Sequence, residues 1–410
     1  MRPSKITTEK LTILYVTMAR IPGERAHSIQ IARMCSALQE SGSNVILISP
    51  NRGDEFTRKA TMKDIKKYYG LKTPFRHFKV PILGIFNEDV RVENLSWLIM
   101  AWTLAPFTLA LYMALKFFLR RNIYIYVREP LLYIMLTLSG WLVKPKIIYE
   151  IHELPPFLKD GPRFFWSLME QSHLIICIAQ ALSDLVRSHL NKGKERVFTL
   201  HDAVDDEIFN MEYTCPDELA SIKKKYRIIM YAGHLDRWKR PEFLIDMMKY
   251  LLESDVALVF VGGRGEDISR LKQYVAVNGC NGKVFFLGWR TPAQVPRYLA
   301  FADVLVHYSP PGKALSPLKI FEYMLSGRPV AAPRAPGVEE VLNDGINALL
   351  FDPFDPADAA RKVVLLLKDK ELGERLASNA RNAALSKYTY RARARILLEL
   401  LKTKELGNNK

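Results

Sequence analysis

Cysteine is scarce: four residues in 410, Cys35, Cys177, Cys215 and Cys280, all far apart. No pair has the spacing of a metal clip or redox motif, which argues against a disulfide scaffold or zinc module and fits a reducing compartment. Low-complexity tracts and obvious internal repeats are missing too, so neither a disordered linker nor a repeat array is in prospect. The first residues are basic but lack the apolar core of a secretory leader. Acidic side chains are outnumbered, 43 against 59 basic, for a formal charge of +16. Among the acidic residues, Asp205-Asp206 is the one pair that suggests a metal, and no cluster supports it.

What is present is globular in composition, 49% hydrophobic and 25% charged, over a length that suggests two domains. The positive charge calls for an anionic partner. Nucleic acid is not expected, because no recognition motif accompanies the charge. An anionic membrane surface is the better expectation. Arg58, Lys59, Lys63, Lys66, Lys67, Lys72, Arg76 and Lys79 crowd one segment, with Tyr68, Tyr69, Phe75 and Phe78 between them. Each such cation contributes about 1 kcal/mol near a charged bilayer. Leu95–Leu115 is apolar and long enough to span a bilayer, but Pro106 interrupts it, and Ser96, Thr103 and Thr108 punctuate it. A buried or membrane-facing helix is expected there rather than a span. Leu131–Val143 is shorter and broken by Gly140, so it reads as core or interface. The expected location is cytoplasmic, peripheral at the inner face of the membrane.

Apolar runs and helical stretches alternate along the chain. Strands are expected at Leu11–Thr17, Asn44–Ser49, Ile123–Val127, Lys146–Ile151 and Leu174–Ile178, with a helix near Ala26–Ser41. After Pro216 and Lys223-Lys224-Lys225 the rhythm restarts, with strands at Ile228–Ala232, Ala257–Val261, Val284–Leu287 and Val304–His307. This predicts an α/β protein of two doubly wound, Rossmann-like domains facing across a cleft, where ligands sit beyond the carboxyl ends of the strands. The domains are expected at 1–208 and 209–387, with a closing helix in 388–410 returning to the first.

Residues 316–333 carry the most information. Ser316 and Pro317 open a helix, Leu318, Ile320, Phe321, Met324 and Leu325 form its buried face, and Lys319 and Glu322 lie on the polar side. Gly327 stops it, and Val330-Ala331-Ala332 reads as a short buried strand. A helix start beside strand ends is a ready anion site. Val261-Gly-Gly-Arg-Gly265 and Tyr231-Ala-Gly-His-Leu-Asp-Arg-Trp-Lys239 follow other strands and add glycines and cations.

In order, these loops resemble a retaining, nucleotide-sugar-dependent glycosyltransferase of the GT-B fold, in the large family-four group (glycosyl transferases group 1). Residues 231–239 are similar to its Gly-Arg-Leu…Lys motif, which implies that Gly233, His234, Arg237 and Lys239 meet the donor diphosphate. Phe286-Leu-Gly-Trp289 resembles the loop beside the nucleotide base, and Ala302-Asp303-Val-Leu-Val306 the strand leading to the donor. His201-Asp-Ala-Val-Asp205 is similar to the family's linker. Tyr149-Glu-Ile-His-Glu153 resembles the strand end that places a histidine, here His152, beside the transferred sugar, and Gly23 falls in a loop contacting donor phosphates. Gly263, Trp289, Ser316, Pro317, Leu318 and Lys319 complete the implied donor contacts. His152, Lys239 and Glu322 are the implied catalytic residues, with no metal and no cofactor beyond the donor itself. Two positions depart from the pattern: His234 replaces an arginine, and Ala314 replaces the first of two glutamates, of which Glu322 is the second. They leave open a second reading, an inactive nucleotide-sugar-binding or scaffolding protein. The acceptor is expected to be a glycan or lipid-linked.

Overall fold

The computed structural model describes residues 10–82, 94–118, 122–154, 163–310 and 318–408, and divides the chain into two compact units. The first comprises Met1–His201 and Arg393–Lys410, the second Asp202–Ala392.

The first unit is built on seven parallel strands: Thr12–Val16 (β1), Asn44–Asn51 (β2), Arg76–Pro81 (β3), Ile123–Val127 (β4), Ile147–Ile151 (β5), Leu174–Cys177 (β6) and Val197–Thr199 (β7). Their order is β3-β2-β1-β4-β5-β6-β7. Every residue of β1, β4, β5 and β6 is buried. That is why these strands read as unbroken apolar runs: helices cover a parallel sheet on both faces.

The second unit repeats the plan with six strands: Arg227–Ala232 (β8), Val256–Val261 (β9), Val284–Phe286 (β10), Val304–Val306 (β11), Val330–Pro333 (β12) and Leu349–Phe351 (β13). The order is β10-β9-β8-β11-β12-β13, again all parallel.

The basic stretch keeps Arg58, Lys59, Lys63, Lys66, Lys67, Lys72 and Arg76 exposed. It forms helices Glu55–Lys59 and Met62–Tyr69 and then β3, the sheet edge. Its interleaved aromatics divide: Tyr69 and Phe75 are buried, while Tyr68 and Phe78 stay exposed. The Lys79 ammonium turns inward and donates to the carbonyls of Thr57 at 2.6 Å and Ala60 at 2.7 Å, closing the end of the first helix.

The apolar stretch is the helix Asn94–Phe118, the one described helix long and apolar enough to cross a membrane. Met100, Ala101, Leu104, Ala105, Leu109 and Tyr112 bury one side of it in the first unit's core, while Trp102, Phe117 and Phe118 stay exposed. Trp141 and Leu142, after the helix Pro130–Ser139, are exposed as well.

The segment from 393 onward joins the first unit through one buried carboxylate. Glu150, in β5, accepts from Arg393 Nη2 at 2.9 Å and from the Tyr126 hydroxyl, with Arg128 Nε at 3.4 Å. Burial opposes the carboxylate, but Arg393 and Arg128 more than offset it and hold its pKa well below the ordinary value. Removing one partner of such a group leaves a buried charge poorly compensated. Arg393→Ala should therefore destabilise the first unit by about 3 kcal/mol, read as a lower urea midpoint. The folded pKa is depressed, so the Glu150 contribution is complete above the ordinary glutamate range and fades as pH falls through it. The gap between wild type and variant should narrow in acid.

Candidate functional site

Each sheet reverses its strand order at one point, between β1 and β4 and between β8 and β11. Loops that leave these neighbouring strands diverge, opening a crevice at their carboxyl ends.

In the second unit, β8 delivers Gly233 and His234 to that point, and β11 delivers His307. The helix Leu318–Leu325 follows β11 and is tied to the end of β8 by a side chain absent from the sequence reading. The buried Tyr323 hydroxyl accepts the Ala232 N–H at 2.7 Å and donates to the Ala232 carbonyl at 3.3 Å. A tyrosine on a buried helix face must find a partner for its hydroxyl, which was the available signal.

That anchoring turns the polar side of the helix, with Lys319 and Glu322, toward the end of β8. Both are half-buried. Lys319 Nζ lies 4.9 Å from the Tyr231 ring centre and 3.5 Å from its hydroxyl oxygen. Gly233 makes room for it: at φ +151° a Cβ here would stand 1.1 Å from Nζ. Burial, then Lys239, lowers the Lys319 pKa to about 7, against a raising influence from Glu322. Burial raises Glu322 to about 7, Lys319 opposing. Lys239 Nζ lies 3.7 Å from Asp236 and 5.0 Å from the Trp238 ring centre, its pKa lowered chiefly by burial.

Two histidines register the resulting field. Burial, then Lys239 and Lys319, lowers His234. His307 falls to about 3 by burial, then Lys319 and Lys239, and among the described residues neither of its ring nitrogens has a hydrogen-bond partner. His307 was marked only by its place at the end of an expected strand. Two amino groups and two imidazoles thus gather beside Asp236 and Glu322, and burial leaves the amines short of water, an arrangement suited to a polyanion.

The other expected donor contacts are more dispersed. Gly263 packs beneath Leu235, whose Cδ1 would lie 2.6 Å from an added Cβ, so it serves the fold of the loop. Gly262 donates to the Gly288 carbonyl at 2.8 Å, which brings the exposed Trp289 loop beside the end of β9. Arg237 is exposed, and Leu318 packs partly into the core. Ser316, Pro317 and Ala314 lie outside the described residues.

In the first unit, His152 follows β5. Arg128 Nη2 donates to its Nδ1 at 3.1 Å, which leaves Nε2 as the protonated nitrogen, donating to Glu150. Both nitrogens are engaged, so contact with a sugar hydroxyl requires one bond to be exchanged. Gly23 is also committed: its N–H donates to the Tyr69 hydroxyl at 2.6 Å, and that hydroxyl donates back to the Gly23 carbonyl at 2.9 Å.

Two Rossmann-like units in one chain define the GT-B class. Residues 218–383, within the second unit, match the glycosyl transferases group 1 family. It is 25% identical over 255 residues to an uncharacterized glycosyltransferase, MJ1069, of Methanocaldococcus jannaschii, covering 58% of this chain and 63% of that one. To the N-acetyl-alpha-D-glucosaminyl L-malate synthase of Bacillus anthracis it is 24% identical over 222 residues, 54% and 57% of the two chains. The chain thus spans about six-tenths of the length of the curated relatives it matches. Among solved structures, Anabaena Alr3699/HepE in complex with UDP and glucose superposes with a TM-score of 0.66 at 18% identity, covering 95% of this chain and 99% of that one. A glycosyltransferase from Rickettsia africae reaches 0.70 at 17% identity, covering 96% and 98%.

Gly233→Ala should strain the backbone and displace Lys319 from Tyr231 at a cost of about 1–3 kcal/mol. The expected result is a lowered denaturant midpoint together with weaker nucleotide binding in calorimetry.

Proposed function

We propose that this protein is a retaining glycosyltransferase that moves a sugar from a nucleotide-diphosphate sugar to an acceptor without a metal ion. The observation that supports this best is the pair Lys239 and Lys319, two poorly solvated amino groups at the switch point of the second unit. A diphosphate placed there gains from both. As the anomeric bond breaks, charge accumulates on the leaving phosphate, and fixed cations that meet it stabilise the transition state more than the ground state. His234 and the amides at the start of the helix Leu318–Leu325 add donors, while Glu322 accepts from sugar hydroxyls. The leaving phosphate takes the acceptor's proton on the same face, and His152 orients a hydroxyl of the transferred sugar.

Membrane contact and a lipid-linked acceptor belong to the same proposal. Their support is the net charge of +16 and the exposed Trp102, Phe117, Phe118, Trp141 and Leu142 on the first unit. Flotation with anionic and zwitterionic vesicles tests that part, and a protein that stays at the bottom of both gradients at low salt argues for a soluble acceptor.

Replacing Lys239 by Ala should lower sugar transfer by about a hundredfold or more with an unchanged circular dichroism spectrum. Unaltered turnover of a nucleotide sugar, selected by a thermal-shift screen, would remove Lys239 from the site. Lys319 offers a second check. At pH 8 its amine is mostly neutral in the free protein, and a bound diphosphate raises its pKa, so binding should take up about one proton. Calorimetry of nucleoside diphosphate binding in buffers of different ionisation enthalpy reads this directly. A buffer-independent enthalpy would exclude Lys319 from phosphate contact.

A further inference from the structure

The carboxyl-end edge of the first sheet holds cations that the donor does not account for. Arg52 follows β2, Arg20 and Arg25 lie on the segment leaving β1, and Arg128 follows β4, all neighbours in the sheet. Contacts gather them. Arg52 Nη2 donates to the Met18 carbonyl at 2.9 Å, and Arg128 Nη2 to Gln30 Oε1 at 3.1 Å on the helix Ala26–Glu40. Arg20 lies over Gly53, where an added Cβ would stand 2.5 Å from its Cδ. His27, in the first turn of that helix, is lowered to about 4 by burial and then by Arg128, Arg25, Arg52 and His152.

The nearby carboxylates are mostly engaged. Glu129 accepts through Oε1 from the Thr17 hydroxyl and the Met18 N–H and turns its other oxygen, buried without a hydrogen bond, to the field of Arg52; Asp54 caps its helix through Thr57, Glu24 lies toward Tyr68, and Glu150 holds both Arg393 and Arg128. Among the described residues Arg20 and Arg25 make no ion pair, and Arg52 Nε is buried without a hydrogen bond. The helix Ala26–Glu40 starts here with no acidic residue in its first turn and no side-chain cap, which adds positive potential. The amide of Gly23, the group in this loop expected to meet donor phosphate, is committed to Tyr69.

We propose that this edge, through Arg25, Arg52 and Arg128, binds a negatively charged group, a phosphate or carboxylate, carried by the acceptor substrate. The inference rests on the transferase reading, with the first unit serving the acceptor and the second the donor. Guanidinium groups suit it because they pair with planar or tetrahedral oxyanions through two parallel hydrogen bonds.

Calorimetry of the full chain with glycerol 3-phosphate, glycerate and glycerol tests it. One or both anions should bind, glycerol should not, and the affinity should weaken with added salt. The double variant Arg25→Gln/Arg52→Gln should lose about tenfold or more in that affinity, while nucleoside diphosphate affinity holds. Arg25→Gln alone, at an exposed position, should move in the same direction if the double variant folds poorly. Equal behaviour of anions and glycerol overturns the proposal, as does a parallel loss of nucleoside diphosphate affinity, which would give the arginines to the donor. The donor reading fails separately: Lys239→Ala would then leave nucleoside diphosphate binding intact while glycerol 3-phosphate still binds.

Discussion

The cost of holding an ammonium group away from water shapes the second unit more than any other term. Lys319 is kept over Tyr231 by a bare backbone at Gly233 and by a helix that Tyr323 fastens to the last residue of β8. Left alone, such a group tends to discharge, and its pKa of about 7 expresses that tendency. Lys239 nearby deepens the imbalance, and Glu322 and Asp236 relieve it in part. A site arranged in this way is least stable empty and gains most from an anion, so its electrostatics and its ligand are one problem.

The sheets were largely legible from the chain because buried parallel strands are continuous apolar runs. The run Ile123–Val127 begins and ends where the apolar residues do, and the others fall within a few residues of their expected bounds. Three strands escaped: β3, β7 and β13. β3, RHFKVP, is an edge strand with one buried residue, and its charges disguised it as surface. β7 and β13 are three residues each, as short as β10 and β11, and carry no periodicity of their own.

The candidate site was legible by residue and less so by orientation. Gly233, His234, Lys239, Lys319 and Glu322 do lie around one end of β8. What the sequence could not express is that the first turn of the helix Leu318–Leu325 looks across strand ends instead of toward solvent. Helical periodicity separates apolar from polar faces, but it does not say what the polar face meets. For the same reason Lys79, counted with the cations of a charged surface, proved to close a helix, and Gly263 proved to serve packing.

The first unit is discontinuous in sequence, since its core waits for a segment that follows the whole of the second unit. During synthesis, Glu150 is translated some 240 residues before the arginine that neutralises it. Until then the buried carboxylate has Arg128 but lacks Arg393, in a chain whose N-terminal portion would otherwise condense first. The emerging first unit thus reaches its final state after the second unit and the segment from Arg393 have been made.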